Sequence, residues 1–306
     1  SLNGIARDTL TWSDNATRPY IAIGTNAQLY TIQNQTQYDV SPIVEMVSVA
    51  GNFQTFNNST SFKVSVNNVP TDSGDRVEFI GVSVLNGINI NGITTIVSVS
   101  GLNHFYVNNS TTATGSGSDL GTAGSINFLL DVQPTNAIQG LGYGAGVYNA
   151  GVSVSGARAW NQAAEESGII FSPAMWELDT WGEDLLALRR GDRLLYLDID
   201  ASATPQRTVV VTAAPTATTF LVSPNDRHVV CYGARAFATT VGTGTNPMLV
   251  RWSDQEDFTN WTPSLATTSG EVVLAEGSRI IGANRSRNAI NIWTDKAMYT
   301  QSFVGP

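Results

Sequence analysis

The sequence predicts an all-β protein: a β-propeller-like core carrying an inserted small β-barrel or sandwich domain. Three observations carry this reading. Nearly every apolar run is short, rich in Val, Ile, Thr, Tyr and Phe, and bounded by Gly, Asn, Asp, Ser or Pro. One strand–turn–strand pattern recurs three times along the chain. Between the first and second copies, residues 44–135 form a Ser-, Thr- and Asn-rich stretch without Trp. At roughly 150 residues per domain, 306 residues suit two domains. The core is placed at 1–43 and 136–306 and the insert at 44–135.

The first hairpin is Ile21-Ala-Ile23-Gly-Thr-Asn-Ala-Gln-Leu29-Tyr30-Thr31, which aligns without gaps on Ile290-Asn-Ile292-Trp-Thr-Asp-Lys-Ala-Met298-Tyr299-Thr300. Leu186-Ala-Leu188-Arg-Arg-Gly-Asp-Arg-Leu194-Leu195-Tyr196 fits with one more turn residue, and Gly191 tolerates the positive φ that such a turn needs. A second echo pairs Leu10-Thr-Trp12-Ser-Asp14 with Val250-Arg-Trp252-Ser-Asp254. In a propeller a repeated Trp fills the gap between neighbouring sheets. Trp12, Trp252 and Trp293, with Tyr30, Tyr196 and Tyr299, are therefore read as packing residues. The insert has its own alternation at Phe62–Val66, Arg76–Gly81, Ile93–Val99 and Phe105–Val107, joined by Asp72-Ser-Gly74, Asn91-Gly92 and Gly101-Leu-Asn103 turns. Ser110 to Gly124 reads as a flexible return, and Arg158–Ser167 as at most a short helical turn.

Composition narrows the functional classes. Sixteen cations against 25 anions leave a net charge of −9, and only Lys63 and Lys296 are lysines. Such a chain cannot neutralise a long phosphate track, so sequence-specific nucleic-acid binding is not expected. A single cysteine, Cys231, excludes an intrachain disulfide framework and a Cys-rich zinc site. The sequence has neither an apolar run of membrane-spanning length nor a signal-peptide pattern at its start, so stable membrane insertion is not expected.

Each chemical motif has a bland explanation. His228-Val-Val-Cys231 brings a base near a thiol, but residues three apart on a strand face opposite ways, which disqualifies a dyad. His104, the other histidine, lies near a turn of the insert and reads as solvated or satisfied. Gly140-Leu-Gly142-Tyr-Gly144-Ala145 matches a relaxed dinucleotide fingerprint but lacks the alternating strands and helices that would present a helix N-terminus to phosphate. The carboxylates Asp198 with Asp200, and Asp254 with Glu256 and Asp257, are weighed as a glycosidase pair. Ser253-Asp254 leading to Trp261 is loosely similar to the Asp-box turn of sialidases, a structural rather than catalytic element, and the expected Gly is missing. No catalytic, metal or cofactor-binding residue is assigned, and no enzyme activity is expected.

Several ordered strings carry a resemblance. They are Leu29-Tyr30 leading to Tyr38-Asp39-Val40-Ser-Pro42-Ile43, Leu178-Asp-Thr-Trp-Gly182-Glu-Asp184-Leu-Leu-Ala187, Arg227-His-Val-Val, and Val250-Arg-Trp252-Ser-Asp254-Gln-Glu-Asp257 through Trp261-Thr-Pro263. Gly277-Ser-Arg-Ile-Ile-Gly282, Ile292-Trp293-Thr-Asp295 and Phe303-Val-Gly-Pro306 follow. In the insert, Gly74-Asp-Arg-Val77-Glu-Phe79 and Ile90-Asn-Gly92 add to them. Together they resemble the structural proteins that form the tail hub or nozzle of short-tailed bacteriophages, whose members run on past the last string with further strands. The resemblance implies a non-enzymatic virion protein present as a homo-oligomer, a hexamer around the tail axis. It implies docking to a tail adaptor and other tail proteins, with DNA passing through during genome ejection without specific binding. A propeller lectin or glycan hydrolase engaging host-surface polysaccharide is the alternative.

Overall fold

The computed structural model describes residues 2–67, 74–121, 123–129, 175–237, 245–287 and 289–302. Among them every regular element is a strand. The Gly140–Ala145 string, the Arg158–Ser167 segment, Asp72 and Ser73 of the first insert turn, and Phe303–Pro306 lie outside the described residues. The chain divides into two compact units: Ser1–Ser48, Ser125–Val132 and Ala174–Pro306 in one, Val49–Gly124 and Gln133–Pro173 in the other.

The first unit begins with a sheet of four consecutive strands, β1 (Ala6–Ser13), β2 (Pro19–Thr25), β3 (Leu29–Gln33) and β4 (Thr36–Asp39), after which β5 (Ile43–Val49) leads to the second unit. That unit holds β6 (Phe53–Thr55), β7 (Ser61–Ser65), β8 (Arg76–Ile80), β9 (Gly92–Ser100), β10 (His104–Asn108) and β11 (Gly117–Leu120). They run in spatial order β11-β6-β7-β10-β9-β8 within one curled half-barrel sheet. Its concave filling is aromatic: Phe53, Phe62, Phe79 and Phe105 are fully buried, with Phe79 5.8 Å from Phe53 and 6.2 Å from Phe62, centroid to centroid. The Ser110–Gly124 stretch is not a flexible return. β6 pairs with β11 inside it, and the Gly115 carbonyl accepts from the Thr55 hydroxyl at 3.0 Å and the Asn86 amide at 3.1 Å. Side-chain amides fix a segment that composition alone would leave loose.

The chain re-enters the first unit through β12 (Gly124–Leu129), which pairs with β5. A second sheet comprises β13 (Trp176–Trp181), β14 (Asp184–Arg189), β15 (Leu194–Leu197) and β16 (Val209–Val210). The third comprises β17 (Thr219–Val222), β18 (Val229–Tyr232), β19 (Leu249–Trp252) and β20 (Gly270–Val273). The fourth has three strands, β21 (Ile280–Arg285), β22 (Ile290–Thr294) and β23 (Met298–Gln301). All strand pairs in these sheets are antiparallel and sequential, and the first strands touch in series, β1 with β13, β13 with β17, β17 with β21. This is the propeller-like arrangement the sequence predicts.

The three repeated hairpins are β2–β3, β14–β15 and β22–β23. The first and last of these turns share a device. Thr25 closes the first with a backbone bond to Gln28 O at 2.8 Å, while its hydroxyl accepts from Ala27 N and Gln28 N. Thr294 does the same with Ala297 O, Lys296 N and Ala297 N. The longer middle turn puts Gly191 at φ +86°, a conformation costly for any residue with a Cβ.

Packing explains why the middle strands read as unbroken apolar runs. On β14, Leu185 and Ala187 face the first sheet, whereas Leu186 and Leu188 face the third. On β18, Val229 and Cys231 face the second sheet, and Val230 and Tyr232 the fourth. A sheet covered on both faces needs no polar alternation.

Candidate functional site

Between the third and fourth sheets lies a cleft of about 750 Å³. Its floor is aliphatic, with Val230, Val250, Ile290 and Ile292 almost fully buried, and its walls include Trp252 and Tyr299. One end is polar, formed by Asp226, His228, Gln255 and Thr268.

His228 just precedes β18 and is buried, with Nδ1 against the Asp226 carboxylate, whose other oxygen takes the Ser223 hydroxyl. Its Nε2 lies 2.9 Å from Thr268 Oγ1. Thr268 Oγ1 also lies 2.7 Å from Asp254 Oδ1 and accepts from Gln255 N at 2.9 Å. A hydroxyl has one proton, and the carboxylate takes it. Asp226, His228, Thr268 and Asp254 thereby form one hydrogen-bonded brace at the polar end of the cleft.

Asp254 is the centre of that brace. The Thr268 N–H at 2.8 Å, then the Thr268 hydroxyl, hold its carboxyl below the ordinary 3.8. A carboxyl depressed by folding adds stability that is complete above its unfolded value and is lost as pH falls through the folded one. Acid titration between about pH 5 and 2 should therefore weaken the wild type more than Asp254→Asn, which keeps an acceptor oxygen but has no charge to lose. Parallel pH dependence in the two proteins, followed by denaturant unfolding, would contradict this.

Of the remaining motif residues, Cys231 points away from His228 into the core between the second and third sheets, and burial pushes its thiol up to about 12. It should resist thiol reagents in the native protein and react only on unfolding; native-state labelling would refute the assignment. Asp198 accepts from Asp200 N and Ala201 N and so caps its own turn. Among the described residues no group of three or more His, Cys, Asp or Glu could hold a metal ion.

The predicted packing residues divide. Trp12 stacks on Tyr20 with centroids 5.3 Å apart and donates Nε1–H to Glu183 O at 2.7 Å. Trp252 packs against the core between the third and fourth sheets and donates to Thr268 O at 2.7 Å. The two are not equivalent positions of a repeat, because Trp12 lies on a first strand and Trp252 on a third. Tyr30, Tyr196 and Tyr299 each tie a neighbouring segment through the hydroxyl: Tyr30 accepts from Asn3 N, Tyr196 donates to Asp184, Tyr299 accepts from Glu276 N. Trp293 is different, being 37% exposed. Its neighbours Ile292 and Thr294 turn inward, so alternation sends the indole outward. Among the described residues the fully buried indoles are Trp176 and Trp261, neither singled out by the sequence repeat.

No known protein family and no curated protein matches the chain. Among solved structures it is similar to the phage phi92 endosialidase, with a TM-score of 0.26 and 13% sequence identity over 94% of this chain. The chain spans 41% of the length of that protein.

Proposed function

We propose that the chain is a structural, non-enzymatic subunit of a short-tailed phage tail, part of the nozzle or hub through which the genome is ejected. Subunits form a homo-oligomeric ring, six copies by the family resemblance, docked onto a tail adaptor, and DNA passes without specific binding. The observation that carries this reading is the chemistry of the inter-sheet cleft. Among the described residues its lining contains one carboxylate, Asp226, already engaged by Ser223 and His228, whereas glycoside hydrolysis generally uses two facing carboxyls. The ordered sequence strings and the net charge of −9 support it further. The core of 1–43 and 136–306 carries assembly in this reading, and 44–135 is an accessory insert. Electron microscopy of the purified protein should show rings, and the rings should bind duplex DNA weakly at low ionic strength. Monomers at high concentration, or tight DNA binding that weakens steeply with salt, would overturn it.

The lectin alternative is favoured by one observation, the presence of Trp252 and Tyr299 in the cleft wall. Trp252→Ala separates the readings. A stable variant that has lost glycan-array binding supports the lectin. A destabilised variant, from a parent that binds no glycan, supports the tail subunit.

A further inference from the structure

A second, smaller hollow of about 230 Å³ lies on the other side of the third sheet and is lined by three arginines, Arg193, Arg235 and Arg251, with Thr212 and Thr216 among the wall residues and, among the described residues, no Asp or Glu. In a chain with only 16 cations and a net charge of −9, that convergence is not a by-product of a basic surface. The three come from separate places: the turn before β15, the segment after β18, and β19 itself. The walls are fixed by backbone bonds, Arg235 N to Thr216 O at 2.9 Å, Ala217 N to Asp192 O at 3.0 Å and Ala214 N to Val211 O at 3.0 Å. Arg251 is 6% exposed, gives two bonds to the carbonyls of Arg235 and Trp261, and lies with its guanidinium over the Phe237 ring. Its Nε is buried without a hydrogen-bond partner. Glu271, a carboxylate whose charge acts on it, has its Oε2 turned to the Phe237 N–H at 2.8 Å. A buried guanidinium bonded to neutral carbonyls retains an electrostatic deficit that an anion would cancel, and its planar fork suits carboxylate or phosphate oxygens.

We infer that this hollow binds one small oxyanion, the carboxylate or phosphate of a small molecule, against Arg193, Arg235 and Arg251. The inference is independent of the tail reading. The volume suits a single anionic group and not a duplex, which the acidic surface repels. The test is titration of the full chain with inorganic phosphate, and separately with acetate, at constant ionic strength set by chloride, followed by calorimetry and by the arginine side-chain NMR signals. Saturable one-site binding of either anion is expected, falling at least tenfold in Arg193→Gln and in Arg235→Gln and unchanged in Arg279→Gln. Arg193 is exposed, so its variant keeps the fold even where Arg235→Gln does not. Phosphate saturation without acetate saturation identifies a phosphate site, and the reverse a carboxylate site. Binding no stronger than chloride, equal binding in Arg193→Gln, or displacement of the anion by duplex DNA would overturn the assignment.

Discussion

Trp176→Ala is expected to lose about 3–5 kcal/mol of stability, the usual cost of emptying a buried aromatic site. Trp176 opens β13, is 2% exposed, and fills the contact between the first two sheets. Its Nε1–H donates to Thr25 O at 2.8 Å, so truncation also orphans a buried carbonyl, costing about 1 kcal/mol more. The indole is admitted because residue 24 is Gly: a Cβ there would lie 2.3 Å from the Trp176 ring. Gly24→Ala should therefore destabilise by about 1–3 kcal/mol in the wild type. It should cost much less beside Trp176→Ala, where the methyl group enters the vacated space. Guanidinium unfolding of the four proteins measures the coupling. Additive losses would show that the glycine and the indole do not share one space.

Asp179→Ala is expected to cost on the order of 3 kcal/mol, because this one carboxylate joins three sheets. Asp179, on β13, is buried and accepts from Val222 N on β17 at 2.7 Å. It also pairs with Arg285 on β21, which donates its Nε–H to Val222 O at 2.7 Å. Removing the carboxylate leaves a buried N–H without this acceptor and a guanidinium without its counter-charge. Asp179→Asn retains an acceptor for Val222 and should fall between wild type and Ala. If Asn and Ala are equally destabilised, the N–H bond contributes nothing and the charge pair accounts for the whole loss. An Ala variant as stable as the wild type would refute the clamp.

The hairpins were legible because their turns are local: Thr25 and Thr294 sit at matching positions and make matching bonds. The corresponding hairpin of the third sheet was not, since residues 233–248 separate β18 from β19 and no short turn announces it. Trp293 was misjudged for a reason of position. Parity assigns it to the face of the fourth sheet away from the third, and among the described residues no sheet covers that face, whereas Ile290 and Ile292 point into the shared core. The His228 brace was partly legible, because strand parity separates His228 from Cys231. Its partner Thr268 lies 40 residues away and carries no local signal. The arginine hollow was illegible for the same reason, being assembled from three distant segments.

The order of strands in the four sheets has a kinetic consequence. Each sheet is made of neighbours in sequence, so most of its pairing can form before distant chain is recruited, the condition under which β proteins avoid their usual slow search. The pairing of β5 with β12 departs from this rule, since the whole of β6 to β11 lies between them. Closure entropy rises only as the logarithm of loop length, about 0.6 kcal/mol per doubling, so the penalty is modest once the intervening strands have collapsed into their own half-barrel. The ends of β5 and β12 are then delivered together by a folded body instead of by a fluctuating coil. Synthesis from the N-terminus would complete the first sheet, then the half-barrel, and join β5 to β12 last of the three.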